Sequence, residues 1–162
     1  MMVATALVIG IGNPYRRDDG VGGAVVARLR GDPAAAHVDA VEEPGDGTRL
    51  MSLWRSRDLV VIVDAAVSGA PPGTVHRVEH AEGAAVAGAS PVSSHGIGVG
   101  AAIALAEVLG ALPRRMVIFA VEAADLDTGL GLSPRVEHAV ACVTHAVLAE
   151  VRRPSDQPPL GT

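Results

Sequence analysis

The chain has 162 residues, of which 49% are hydrophobic and 19% charged, and its formal net charge is −5. This size and composition predict one compact globular domain, and the acidic balance without a Lys/Arg cluster beyond short pairs argues against a nucleic-acid or anionic-membrane partner. A single cysteine, Cys142, excludes an internal disulfide. The apolar start runs directly into a strand pattern, so we expect no signal peptide, no transmembrane helix and a cytoplasmic location.

Strands alternate with helices along the chain. The first strand, TALVIGI, is a short apolar run closed by Gly12-Asn13-Pro14, which is typical of a strand buried on both faces. Asp18 or Asp19 is the expected N-cap of the first helix, and the third strand is expected to end on Asp64. The predicted strands are 5–11, 37–42, 58–64, 74–79 and 115–122, and the predicted helices are 20–30, 46–54, 96–110 and 133–153.

The connection after the third strand decides the sheet type. About nine residues, including Pro71-Pro72-Gly73, join the third and fourth strands, whereas a parallel crossover needs a dozen residues or more. We therefore predict an α/β fold, a three-layer α/β/α sandwich whose five-stranded mixed sheet is mostly parallel with one antiparallel strand. Residues 1–153 are expected to form the single domain, and 154–162 a disordered tail.

Three potential ligands converge on one edge of this predicted sheet. Taken singly, Asp19 is a helix cap, Asp64 a strand-end turn residue and His95 a surface or capping histidine. Together they reach the carboxyl ends of the strands from separate loops, where open α/β sheets bind their ligands. Two carboxylates and an imidazole without a thiolate suit Ni, Mn, Fe or Zn and do not choose among them. The pattern therefore predicts a metal site.

For other polar and reactive residues the sequence predicts a functional role less specifically. Cys142 is expected to be a buried core thiol, because its helical neighbours are apolar at core spacing. Glu122, at the end of the fifth strand, is either a plain strand-end carboxylate or a group that lines the crevice. Arg16 and Arg17 are either solvated or hold a substrate backbone. The remaining histidines, 37, 76, 80, 138 and 145, are expected to be exposed and form no further ligand set.

Four segments carry a resemblance to a known family. The chain reads GIGNPYRRDDGVG at its start, VDA at the end of the middle strand, SSHGIG before a helix and GLSPRV at the last helix. Over almost its whole length it resembles the maturation endopeptidases of nickel-iron hydrogenases. Peptidyl-tRNA hydrolases resemble this chain in beginning with a strand and a Gly-Asn-Pro turn. They differ from it in carrying Thr-Arg-His-Asn where this chain reads RRDDG.

The resemblance implies a specific reaction. Family members remove a C-terminal extension from the hydrogenase large subunit by cutting one peptide bond after nickel insertion, and they are often classed as aspartic-type endopeptidases. The family's metal-binding and catalytic positions map to Asp19, Asp64 and His95, with Asp19 in a place where members carry Glu or Asp. The nickel is expected to come from the substrate, and the enzyme is expected to be a monomer. Ala123 follows Glu122 where the family commonly has proline, so the role of Glu122 stays open.

The sequence also leaves functions of other classes open. A non-proteolytic accessory that senses nickel or holds the large subunit would carry the same ligands. A peptidyl-tRNA hydrolase-like enzyme would call for more basic charge than this chain has. A general metallopeptidase is not favoured, because no HExxH motif occurs.

Overall fold

The computed structural model describes residues 5–81 and 98–153. Within these ranges the chain forms one five-stranded sheet with helices on both faces, which confirms the predicted three-layer α/β/α sandwich. The strands are β1 (Ala6–Ile11), β2 (Asp39–Glu43), β3 (Leu59–Ala66), β4 (Val75–Ala81) and β5 (Arg115–Glu122), the helices are α1 (Val21–Arg30), α2 (Gly47–Trp54), α3 (Gly98–Leu109) and α4 (Pro134–Arg152), and short 3-10 helices span Arg17–Gly20 and Pro33–Ala35. None of the helices in these ranges is both long and apolar enough to cross a membrane. The predicted disordered tail, 154–162, lies outside the described residues.

The strand order is β2-β1-β3-β5-β4. β1 pairs in parallel with β2 and β3, and β3 pairs in parallel with β5. β4 runs antiparallel to β5, as the short connector after β3 predicts. Because the chain leaves β1 for β2 on one side and returns to β3 on the other, the topological switch point lies between β1 and β3. Their carboxyl ends are where an α/β sheet binds its ligands.

Alternate side chains of each strand divide the core into two layers. Val8, Val61 and Phe119 pack with α1 and α4, and we call this side of the sheet the α1/α4 face. Ile9 and Ile62 pack with α2 and α3 on the opposite side, the α2/α3 face. The two-residue period of a strand therefore assigns every strand side chain to one of these faces.

Helix α1 approaches the sheet closely because it carries glycine at its second position. A Cβ on Gly22 would lie 2.6 Å from both the backbone N of Ile11 and the carbonyl oxygen of Val63, a distance that Cβ atoms do not tolerate. This approach holds the turn after β1 directly against the ends of β1 and β3.

Three expectations about single residues are wrong. The N-cap of α1 is Gly20, and neither Asp18 nor Asp19 caps it, because both lie in the preceding 3-10 helix with their carboxylates bound elsewhere. β3 does not end on Asp64, because its next two residues still pair with β5. Cys142 is exposed. It precedes the buried Val143 by one residue, which turns it about 100° away from the core-facing stripe of α4.

An ion network closes the amino-terminal edge of the sheet on the α1/α4 face. Arg77 Nε donates to Glu150 Oε1 over 2.8 Å, and Arg77 Nη2 donates to Glu79 Oε2 over 2.7 Å. Arg115 binds the same two carboxylates, with distances of 2.8 Å from Nε to Glu79 Oε1 and 2.7 Å from Nη2 to Glu150 Oε2. Burial opposes ionisation of Glu79, but the hydrogen bonds from the two arginines outweigh it and keep the pKa of Glu79 below its ordinary value. The network joins β4, β5 and α4.

Candidate functional site

Asp18 is buried and ties the turn after β1 to the loop before α4. Its Oδ2 accepts hydrogen bonds from the backbone N–H of Ala124 and Asp125, over 2.8 and 2.9 Å, and from the Ser133 hydroxyl over 2.8 Å. Its Oδ1 accepts from the backbone N–H of Ser133 over 2.6 Å. Ser133 is the N-cap residue of α4, as expected, but its side chain binds Asp18 and caps nothing. These bonds make Asp18 a structural residue.

Asp19, the neighbouring residue, is equally buried and faces the Gly-Asn turn. Its Oδ2 accepts from the backbone N–H of Asn13 over 2.8 Å, and Arg16 Nη1 lies 3.9 Å from the same oxygen. Gly12 has φ +141°, and a Cβ there would lie 1.8 Å from the carbonyl oxygen of Asp19. Glycine is therefore required for the turn to wrap around this carboxylate.

Asp64 lies inside β3, near its carboxyl end, and is buried. It follows Ile62 by two residues, so its side chain belongs to the α2/α3 face. Its Oδ1 accepts from the backbone N–H of Ala65 over 2.8 Å. The 3-10 helix that carries Asp19 contacts β3, so Asp19 and Asp64 both lie at the carboxyl edge of the adjacent strands β1 and β3. This is the switch point of the sheet.

His95, the third residue of the predicted trio, lies outside the described residues. In the described ranges, no group of three or more His, Cys, Asp or Glu side chains is arranged to hold a metal ion. The role of His95 and the complete three-residue site therefore stay predictions. Helix α3, which begins at Gly98, packs on the same face of the sheet as Asp64.

Glu122 forms a second polar cluster at this edge, one that the sequence predicted only in part. Its Oε1 accepts from the Ser68 hydroxyl and lies 2.9 Å from His76 Nε2, and its Oε2 accepts from the Ser68 backbone N–H over 3.2 Å. Burial opposes ionisation of Glu122, but the hydrogen bonds from Ser68 and His76 outweigh it and hold its pKa below the ordinary value. The expectation that His76 and His80 are exposed is wrong, because both are partly buried, and the contact with Glu122 leaves the His76 side chain only 31% exposed. Pairing of β4 with β5, which periodicity does not specify, produces the contact.

A cleft opens at the same edge, on the α1/α4 face. It has a volume of about 360 Å³ and is lined by several glycines together with Arg17, Glu42 and Leu130. Arg17 has φ +46°, and its Nε lies 3.5 Å from Asp125 Oδ2. Leu130 and Tyr15 are 70% and 66% exposed beside it. Glycine walls and apolar rims are suited to an extended polypeptide, which needs close backbone approach.

Comparison with known proteins identifies the family. The family model of the hydrogenase maturation protease HycI matches residues 25–150. The chain is 35% identical over 136 residues to the hydrogenase expression/formation protein HupD of Thiocapsa roseopersicina, a match that covers 83% of this chain and 62% of that protein. It is 27% identical over 148 residues to the hydrogenase 2 maturation protease of Escherichia coli K12, which covers 90% of each chain.

Solved structures agree with this assignment. The hydrogenase maturating endopeptidase HybD from Escherichia coli superposes with a TM-score of 0.76 at 25% identity, over 91% of this chain and 92% of that one. The HybD maturation protease of Thermococcus kodakarensis has the same fold, with a TM-score of 0.72 at 22% identity over 91% and 99% of the two chains. A family model that covers most of the chain and a shared fold lead to one conclusion: this chain belongs to the hydrogenase maturation protease family.

Proposed function

We propose that this protein is an endopeptidase that removes the C-terminal extension of a nickel-iron hydrogenase large subunit after nickel insertion. One observation carries the proposal: in a chain of this family, two buried carboxylates, Asp19 and Asp64, lie at the carboxyl ends of adjacent parallel strands. The alignment with the Escherichia coli hydrogenase 2 maturation protease, over nine-tenths of both chains, supports the same activity.

The proposal includes recognition of the nickel ion that the substrate carries. Asp19, Asp64 and His95 would supply two oxygen ligands and one nitrogen ligand, a set that suits a divalent first-row metal. Asp19 precedes α1 by two residues, where the positive end of the helix dipole favours a carboxylate. Nickel is thus part of the substrate in this proposal, and it distinguishes a metal-loaded large subunit from an empty one.

The chemistry that we assign to the carboxylates is that of an aspartic-type endopeptidase. Nickel positions the large subunit, and a carboxylate of the Asp19 and Asp64 pair accepts the proton of the water that attacks the scissile carbonyl. The glycine-lined cleft beside Arg17 opens at the same carboxyl edge but on the α1/α4 face, opposite Asp64, so we assign to it a part of the extended polypeptide away from the scissile bond, with the exposed Tyr15 and Leu130 beside its apolar side chains.

We further propose that the enzyme is a cytoplasmic monomer. Cys142 is the only cysteine of the chain and is exposed, so no internal disulfide stabilises the fold. That is the usual condition of proteins in a reducing compartment.

The experiment uses a purified large subunit that retains its C-terminal extension, in nickel-loaded and nickel-free forms. Each form is incubated with the protein, and intact-mass spectrometry records the mass of the large subunit. A mass loss at the C-terminus of the nickel-loaded form alone is the expected result. A stable complex without a mass loss would support the accessory role, and equal cleavage of both forms would remove nickel recognition from the proposal.

A further inference from the structure

Contact with Glu122 fixes the protonation pattern of the His76 ring. Glu122 is buried and, as an ionised carboxylate, offers only acceptors, so the 2.9 Å contact requires a proton on His76 Nε2. Ser68 donates to the same carboxylate through its hydroxyl and its backbone N–H, which holds the acceptor in place. With Nε2–H held by Glu122, Nδ1 is the ring nitrogen that this contact does not use.

Sheet register places His76 on the same row as Asp64. Ala120 of β5 pairs with Asp64 of β3 on one side and with His76 of β4 on the other. Directly paired residues of a sheet project to the same face, so all three belong to the α2/α3 face. Two strand spacings separate the Asp64 and His76 backbones, about 10 Å. The residue between them is the buried Ala120, whose side chain carries no polar atom, so the carboxylate and the imidazole are the polar groups of this row.

We propose that His76 is the proton donor to the departing amine in the hydrolysis, with Glu122 as the residue that orients its ring. This inference rests on the endopeptidase function proposed above. It also explains why the partly exposed His76 is hydrogen-bonded to a buried carboxylate beside the candidate site. In many hydrolases a hydrogen bond of this kind orients the catalytic imidazole.

Each bond and proton in the step is accounted for. The oxygen of water bonds to the scissile carbonyl carbon, the carbon–nitrogen bond breaks, and its electron pair goes to the departing nitrogen. The imidazolium of His76 transfers its Nδ1 proton to that nitrogen and becomes neutral, while Nε2–H stays on Glu122. The proton lost by the attacking water returns to the solvent, from which His76 is protonated again.

The titratable side chains around His76 determine how a pH–rate profile of the cleavage is interpreted. Within residues 5–81 and 98–153, the titratable groups that face His76 are Glu122 on β5 and, across Ala120, Asp64 on β3. On β4 the next titratable side chain of this face is His80, and helix α3 carries only Glu107. Among these, the two histidines are the groups whose unperturbed pKa lies near neutrality. His80 therefore provides a matched control on the same strand.

The test compares His76→Gln with His80→Gln in single-turnover cleavage of the nickel-loaded, extended large subunit between about pH 5.5 and 9, a range that spans the unperturbed histidine pKa of about 6.5. A glutamine at 76 still donates a hydrogen bond to Glu122 but cannot deliver a proton. We expect the unmodified protein to lose rate at alkaline pH, and we expect His76→Gln to be about 10²–10⁴-fold slower and to lack this decline, with substrate affinity unchanged. His80→Gln should retain both the rate and the decline.

A second variant tests the proposal in case His76→Gln does not fold. If His76→Gln unfolds, His76→Ala with added imidazole replaces it, and a rise of the cleavage rate with imidazole supports the proposal. Cleavage by folded His76→Gln at the unmodified rate, or a slowed reaction that keeps its alkaline decline, would overturn the proton-donor role and leave the endopeptidase function intact. Absence of cleavage by the unmodified protein would contradict the proposed function itself.

Discussion

The two edges of the sheet hold buried carboxylates in different ways. At the amino-terminal edge, Glu79 and Glu150 are each bound by the guanidinium groups of Arg77 and Arg115 at 2.8 Å or less. At the carboxyl edge, the hydrogen bonds to Asp18 come from backbone N–H groups and a hydroxyl, which carry no net charge. The two glutamates at the amino-terminal edge are bound by fixed cations, whereas Asp18 at the carboxyl edge is held by dipoles.

The difference shows what each edge is suited to do. Buried acids that are bound by arginines stabilise packing and have little capacity left for another cation. Acids that are held by N–H and O–H donors keep a defined geometry and a negative field, and a cationic ligand can still be attracted to them. Arg16 approaches Asp19 only to 3.9 Å, with an exposed side chain. This difference supports the proposal that the carboxyl edge is the edge that meets the nickel ion of the substrate.

The largest expected effect comes from removing charge at the carboxyl edge. Asp19→Asn, Asp64→Asn and His95→Ala should each lower single-turnover processing of the nickel-loaded large subunit by about 10³-fold or more, and double variants should add little, because residues that act as a unit are non-additive. The two asparagine variants should remain folded, since the amide oxygen still accepts from the backbone N–H of Asn13 or Ala65.

Asp58→Asn is the matched control for this prediction. Asp58 adjoins the other end of β3 and accepts from the backbone N–H of Thr5 over 2.9 Å, far from the proposed site. Its processing rate should equal that of the unmodified protein. Full processing by Asp64→Asn, or unchanged binding of nickel-loaded substrate by inactive His95→Ala, would contradict the assignment.

The next effect separates Asp18 from its neighbour Asp19. Asp18→Ala leaves the backbone N–H groups of Ala124, Asp125 and Ser133 without their acceptor, and each buried donor left unpaired costs about 1–3 kcal/mol. We expect the free energy of unfolding in urea to fall by about 4 kcal/mol. An unchanged unfolding midpoint together with lost processing would mean that Asp18 acts in the site and not in the scaffold.

A smaller effect is expected from the amino-terminal edge. Arg115→Met removes one of the two arginines that hydrogen-bond both Glu79 and Glu150, which leaves Arg77 on both and Arg153 at 3.9 Å from Glu79, and should lower the free energy of unfolding by about 3 kcal/mol. Processing per folded molecule should not change. Arg114→Met, at the exposed neighbouring position, should alter stability by about 0.5 kcal/mol or less. Loss of processing in folded Arg115→Met would break the distinction between the two edges.

The smallest expected effect is a pH dependence of the free energy of unfolding, to which one glutamate at each edge contributes. Glu79 and Glu122 have folded-state pKa values below their ordinary value of 4.5, so their contribution to stability is present above that value and is lost as the pH falls through the lower, folded-state pKa. Urea unfolding between neutral and acidic pH should show a shallower loss of stability for Glu122→Gln than for the unmodified protein. The exposed Glu107→Gln should follow the unmodified curve, and identical slopes for all three would refute the prediction.

Local patterns predicted the elements better than they predicted the polar contacts. The apolar run RMVIFAVE defines β5 to the residue, and Ser133-Pro134 correctly marks the start of α4, because strand and cap signals are local. The end of β3 was predicted two residues early, since its last residues are alanines that only pairing with β5 keeps in the strand.

The positions of Asp19 and Asp64 were predictable because topology determines them, whereas contacts that depend on distant partners were not. Asp19 and Asp64 follow from strand ends and a switch point, which sequence reasoning can locate. Asp18 and Asp19 are adjacent carboxylates of the same type, and only the loop before α4 distinguishes them. The pairing of His76 with Glu122 depends on the register of an antiparallel strand, for which the sequence carries no local signal.

The bond between Asp18 and Ser133 also bears on the order of folding. It joins residues that are 115 positions apart, so a segment near the start of the domain and one near its end must come together before the bond forms. Contacts of such long range are costly in loop entropy and form after local structure. An amino-terminal fragment that lacks the loop before α4 has no donors for Asp18 and cannot fix the turn that carries Asp19. Assembly of the acidic edge is thereby coupled to completion of the whole domain, and a partly synthesised chain is expected to be inert.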